Sequence, residues 1–142
     1  MKKQNLKKTS PDLPSKIQAE KFLQQRPSKI EKDGSVLDEQ YICDDSERKV
    51  TLTTALTGKV IGSNAAVYLD GVQIESGNPT VLGNNKDLNN RKLKIIQNVF
   101  AETGTSCVFS AFLKGGYKDI MYRLISKTGE NGLIFTVYIE FI

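Results

Sequence analysis

The chain has 142 residues, 20 Lys/Arg against 16 Asp/Glu, two cysteines and no histidine. That length fits one domain and suffices to bury a core. The missing imidazole excludes serine–histidine and cysteine–histidine nucleophiles and most zinc sites, and no apolar run approaches the roughly 20 residues that span a bilayer as a helix.

The positive charge belongs to one end. Residues 1–35 hold nine Lys/Arg and four Asp/Glu, a net +5, which leaves the remainder at −1. Residues 1–35 are therefore expected to form a basic N-terminal arm and residues 36–142 the folded domain. The start, "MKKQNLKKTSPDLPSK", has the basic head of a signal peptide without the apolar stretch that follows one, so the expected compartment is the cytoplasm. Further on, "PSKIQAEKFLQQRP" opens on Ser15, with Gln18 three residues later as a capping box requires, and closes at Pro27. Ile17, Phe22 and Leu23 make only a ragged apolar stripe, so a short helix here is marginal unless docked. The lysines would attract an anionic partner such as nucleic acid in a salt-sensitive way. With one arginine and only Phe22 as an aromatic, the arm offers no base readout, and nucleic acid is the less favoured partner.

From Val36 the chain reads as strands and turns. "VLDEQYIC" is a first, weak strand, closed by Asp44-Asp45-Ser46. "KVTLTTALT" alternates Val50, Leu52, Thr54 and Leu56 against Thr51, Thr53, Ala55 and Thr57, a period of two with β-branched residues. "AVYLDGVQI" holds Asp70-Gly71 between apolar arms, a strong hairpin signal. "KLKIIQNVFA", "CVFSAFL", "YKDIMYRLIS" and "LIFTVYIEFI" follow, separated by turns that include Gly115-Gly116 and "KTGENG". Seven or eight strands at short spacing, with no helix beyond the arm, predict an all-β fold. The expected form is an antiparallel β-sandwich of jelly-roll or Greek-key type.

Between two of these strands lies "VLGNNKDLNNRKL". Asparagine and glycine tolerate left-handed backbone and bond to their own chain, so the stretch is expected to be a turn, pinned by Leu88 tucking inward. A calcium loop needs several carboxylates among six to eight oxygens. Asp87 is the only carboxylate here, so it ranks as a weak ligand position for an ion or polyol.

Chemistry is sparse elsewhere. Cys43 and Cys107 are too few for a structural zinc and read as small buried residues; a disulfide would need an oxidising compartment. "LKGGYKD" lacks the spacing of a phosphate-binding loop. Glu39, Asp44, Asp45 and Glu47 fall where solvated acids are expected rather than as a glycosidase pair. No catalytic residue, metal site or cofactor is predicted. For a carbohydrate, which stacks on aromatic platforms, there is no tryptophan, and Tyr117 beside Gly116 is the one tyrosine placed like a platform.

The C-terminal strands are apolar on both sides. In "LIFTVYIEFI", Leu133, Phe135, Val137, Ile139 and Phe141 form a core face, yet Ile134, Thr136, Tyr138, Glu140 and Ile142 opposite are less polar than a solvated face should be. In "DIMYRLIS" the same holds for Met121, Arg123 and Ile125 opposite Ile120, Tyr122 and Leu124. "CVFSAFL" has Val108 and Phe112 opposite Cys107, Phe109, Ala111 and Leu113. Something must cover the second face: the chain's own arm or loops, or a partner. The expectation is that Met121, Ile125, Ile134 and Tyr138 form one interface patch for a protein partner or a second copy. The body resembles small bacterial β-sandwich proteins in general build, and no motif in it singles out a family. The predicted role is a non-catalytic structural or protein-interaction module, self-associating or part of a larger assembly, without membrane insertion. The alternative is a binding module for a carbohydrate or similar polar ligand.

Overall fold

The computed structural model describes residues 28–142, of which 63% lie in strands and 3% in helix. The elements are β1 (Lys29–Asp33), β2 (Val36–Tyr41), β3 (Lys49–Thr57), β4 (Gly62–Leu69), β5 (Val72–Ile74), β6 (Thr80–Asn84), α1 (Asn85–Leu88), β7 (Lys92–Phe100), β8 (Ser106–Lys114), β9 (Ile120–Lys127) and β10 (Leu133–Phe141). They form two five-stranded sheets, in the orders β1-β9-β8-β3-β6 and β2-β10-β7-β4-β5. We call these sheet A and sheet B.

The sheets are mixed, not purely antiparallel as expected. β1 runs parallel to β9 and β2 parallel to β10, while all other pairs are antiparallel. One of the two parallel strands, β1, lies in residues assigned to the arm. "KIEKD" looks like a solvated tail because only Ile30 is half-buried, yet its backbone ladder follows Met121 to Ile125. The chain then crosses at Gly34-Ser35 to pair β2 with the last strand. The helix sketched over residues 15–26 lies outside the described residues.

Period-two patterning accounts for the core. Cys107, Phe109, Ala111 and Leu113 of β8 point inward, as do Ile120, Tyr122 and Leu124 of β9 and Phe135, Val137, Ile139 and Phe141 of β10. Rings from the two sheets meet between them. Phe109 stacks on Phe135 with centroids 5.8 Å apart, and the Tyr122 hydroxyl donates across to the Gln40 carbonyl at 2.9 Å. The arrangement is sandwich-like and is not closed into a barrel. Cys43 and Cys107 are buried and form no disulfide; burial pushes the Cys107 thiol up.

Two predicted turns have clear physical causes. Asp70 (φ 51°) and Gly71 (φ 81°) both take positive φ and join β4 to β5 in a two-residue hairpin. At Gly115-Gly116 a Cβ would collide with the Lys49 carbonyl at the first position and with the Tyr41 ring at the second. The Gly116 N–H donates to the buried Tyr41 hydroxyl at 2.9 Å, and burial drives that phenol's pKa upward although this hydrogen bond opposes it.

The asparagine stretch is not all turn. It begins with the end of β6, makes the single helical turn α1, and reverses at Asn90 (φ 71°). Leu88 is fully buried, as expected, and so is Asn85. The Asn85 amide donates to the carbonyls of Arg48 (2.7 Å) and Gly115 (2.9 Å), and its Oδ1 accepts from the Asp44 N–H (3.0 Å). One side chain thus ties three connections together. Asp44 sits within that junction. Partial burial pulls its carboxyl upward, but hydrogen bonds from Ser46 and Arg48 outweigh it and hold it below the usual carboxylate value.

Candidate functional site

The outward face of sheet B is the candidate site. Strand register lays its side chains out in rows. One row reads Asp38, Tyr138, Lys94, Tyr68, Gln73 across β2, β10, β7, β4 and β5. On one side of it lie Gln40, Glu140 and Lys92; on the other lie Val36, Thr136, Ile96 and Ala66. Beyond those come Ile134, Asn98 and Asn64, and then Phe100 beside Gly62. The face therefore grades from charged at the Lys92–Glu140 end to apolar at the Ile134–Phe100 end.

A groove of about 670 Å³ occupies the charged half, lined by Tyr68, Lys92, Lys94, Ile96, Tyr138 and Glu140 among others. The Lys94 ammonium lies between the two tyrosines, 6.0 Å from the Tyr68 ring centre and 5.8 Å from that of Tyr138. Such cation–π contact is worth about 0.5–1 kcal/mol at an exposed site, enough to bias the lysine toward the floor between the rings. At the hairpin end of the groove, Arg91 Nε donates to Asp70 Oδ2 (2.7 Å) and the Lys92 N–H to Oδ1 (2.9 Å). These two bonds, the Arg91 bond foremost, hold the Asp70 carboxyl below its ordinary value.

Seven large hydrophobic side chains are exposed among the described residues. Four of them project from this face: Ile134 (55% exposed), Phe100 (52%), Val36 (46%) and Tyr138 (41%). Ile61 (81%) stands at its rim, its N–H bonded to the Phe100 carbonyl. Sheet A treats its own outward apolar residues differently. Val81 of β6 is exposed (55%), but Val108, Phe112, Met121 and Ile125 are only half-exposed. Lys114 lies over the Phe112 ring at 5.6 Å, and Arg123 crosses to Glu31 at 3.3 Å. Long charged side chains thus cover part of that surface with their own stems.

The four residues expected to form one patch are therefore divided. Ile134 and Tyr138 lie on the face of sheet B, whereas Met121 and Ile125 lie on the outward face of sheet A, on the other side of the molecule. The expectation assumed that β9 and β10, consecutive in sequence, pair with each other. They sit in different sheets instead. Asp87 is exposed on α1 and Tyr117 is half-buried beyond β8, and neither belongs to the sheet B face. Tyr68, Lys94, Phe100 and Val36 went unnoticed in the sequence. Reading the outward half of "KLKIIQNVF" as a surface in its own right, Lys92, Lys94, Ile96, Asn98, Phe100, was the available signal. No group of three or more His, Cys, Asp or Glu stands positioned for a metal ion among the described residues, and none of their helices is long and apolar enough to cross a membrane.

Comparison with known proteins finds no matching family model, no curated protein and no solved structure.

Proposed function

We propose that the chain works by binding rather than catalysis, as a protein-interaction module of the cytoplasm that self-associates or joins a larger assembly through the outward face of sheet B. The observation that carries this reading is the gathering of five of the seven exposed large hydrophobics on or beside that single face. Contiguous apolar surface of this kind marks interaction sites, and on the other broad face Val81 alone is comparably exposed among the described residues. We read the strand orders β8-β3-β6 and β7-β4-β5 in the two facing sheets as a jelly-roll core, a frame that leaves both sheet faces available.

The test compares the two faces. Tyr138→Arg and Phe100→Asp alter sheet B outward positions without touching Phe135, Val137 or Ile139; Met121→Arg is the sheet A control. The expected outcome is loss of association, with itself or with a co-purifying protein, for the first two only, with cooperative melts retained throughout. Association that survives both sheet B changes and fails with Met121→Arg overturns the reading.

A second reading, a polar ligand such as a carbohydrate in the groove, is favoured by one observation: Tyr68 and Tyr138 flank the groove with Glu140, Asp38 and Lys92 within reach. Chemical-shift titration with sugars would show it as movements confined to β4, β7 and β10 that vanish in Tyr68→Ala.

A further inference from the structure

We infer that the occupant of the sheet B face is a second copy of this chain, docked face to face about a two-fold axis that runs parallel to the strands between β10 and β7. The inference rests on the reading of that face as an interaction surface and adds the identity and geometry of the partner.

The argument is charge and shape self-complementarity. A symmetric dimer uses the same patch twice, so each residue must suit the one that the axis brings over it. With the axis between β10 and β7, each of these strands lies over the other in the second copy, and β2 lies over β4. Register then fixes the contacts, because facing residues come from one row. Glu140 meets Lys92 of the second copy, Tyr138 meets Lys94, Thr136 meets Ile96 and Asp38 meets Tyr68. The acids of this face stand on β2 and β10 and the lysines on β7, on opposite sides of the axis. Every acid–base pair it makes is therefore favourable, and it makes each twice.

Shape agrees with charge. Lys94 lies low between Tyr138 and Tyr68. Tyr138 of one copy faces that floor in the other, as a knob over a groove, and its ring meets the ammonium a second time. At the far end Ile134 lies over Asn98 and diagonal to Phe100, within reach once two twisted sheets pack about 30° askew. An axis running across the strands instead would lay the charged Lys92–Glu140 end on the apolar Ile134–Phe100 end. A partner other than a second copy would have to supply this mirrored arrangement by itself.

The experiment is a charge-reversal exchange, read as molar mass by light scattering on the full chain. Wild type is expected at twice the 15.8 kDa of one chain. Glu140→Lys alone creates two lysine pairs across the axis, and Lys92→Glu alone creates two glutamate pairs. Because symmetry doubles each effect, a tenfold penalty per contact becomes about a hundredfold weaker dimer, and each variant alone should run as one chain. Mixed one to one they should regain the doubled mass, since both contacts become opposite-charge pairs. The double variant Lys92→Glu/Glu140→Lys, which also restores opposite charge between these cross-strand neighbours within a chain, should dimerise by itself and reject wild type. Single variants that stay dimeric, or a mixture that stays monomeric while both components melt cooperatively, overturn the inference. So does a wild type of one-chain mass at every concentration. In that last case the broader reading is judged separately: a different protein whose binding is abolished by Tyr138→Arg shows an interaction face with another occupant, and no such protein removes both.

Discussion

Replacing Asn85 with alanine is the sharpest test of how the fold is held at its loop end. The side chain is fully buried and makes three hydrogen bonds, all to backbone groups of other connections: the Arg48 and Gly115 carbonyls and the Asp44 N–H. Truncation leaves the Gly115 carbonyl and the Asp44 N–H without that partner, while the Arg48 carbonyl keeps the Asn85 backbone N–H at 3.0 Å. A buried polar group left unmade costs about 1–3 kcal/mol, and the two share one site, so their losses do not add fully. The expected loss is about 2–4 kcal/mol, a large part of the 5–15 kcal/mol typical of a whole domain. For a chain of this size that is a fall in melting temperature of about 8–16 °C. Asp87→Ala, two residues on and exposed, should stay within about 0.5 kcal/mol. Urea unfolding with an unchanged slope measures both. Asn85→Asp gives a second, pH-dependent reading. It keeps the acceptor for Asp44 but aims a carboxylate at two carbonyls, which raises its folded pKa above the unfolded value. The penalty is then present above the folded pKa and relieved below the unfolded value near 3.9, so the deficit against wild type should shrink in acid. A loss below about 1 kcal/mol for Asn85→Ala would refute the junction as a source of stability.

Three further outcomes are expected. Millimolar calcium should leave the melting temperature unchanged, since a tight site would add roughly 2.7 kcal/mol at a hundredfold excess over its dissociation constant; a calcium shift abolished by Asp87→Ala would show a site in the asparagine stretch after all. Asp70, whose carboxyl is held low by Arg91 and the Lys92 N–H, contributes stability above the ordinary carboxylate value near 3.9 and loses it as pH falls through its lower folded value. Melts across that range should therefore converge with those of Asp70→Asn, a residue that also tolerates the positive φ. Finally, a chain beginning at Ser35 should be less stable than one beginning at Ser28 by about 1–2 kcal/mol, because it lacks Ile30 and the ladder that closes the edge of β9; equal melts would show that β1 adds nothing.

The elements were legible because their side chains alternate. The inward sets of β8, β9 and β10, the Asp70-Gly71 hairpin, the Gly115-Gly116 turn and the inward Leu88 all follow from local rules, and the structure has each of them. Three kinds of feature escaped. β1 carries one half-buried residue, so burial leaves almost no trace in "KIEKD"; backbone pairing alone makes it a strand. The parallel pairing of β1 and β2 depends on two N-terminal strands reaching the sheet edges beside the C-terminal ones, a long-range choice with no sequence period. Asn85 looks like every other asparagine in its stretch, and only the approach of residues 44–48 and 115 makes it a buried junction.

The same limit explains the divided patch. Alternation says that a strand has a second apolar face but not which neighbour shares it, and β9 and β10 look alike in this respect. The fold separates them, and each sheet then meets the problem with what its own strands supply. In sheet A, β1 brings Glu31 beside Arg123, and Lys114 bends over Phe112, so charged stems cover part of the apolar surface and leave Val81 exposed. In sheet B the corresponding long cation, Lys94, is held between Tyr68 and Tyr138. The remaining residues about Ile134 and Phe100 are short amides and a glycine, Asn98, Asn64 and Gly62. The Glu130–Gly132 turn borders Phe100 on one side, and Ile134 and Phe100 nonetheless remain about half exposed. A face with less cover among the described residues than its opposite is where a second chain would gain most by binding, and the proposed dimer uses that face because Ile134 and Tyr138 remain together on it.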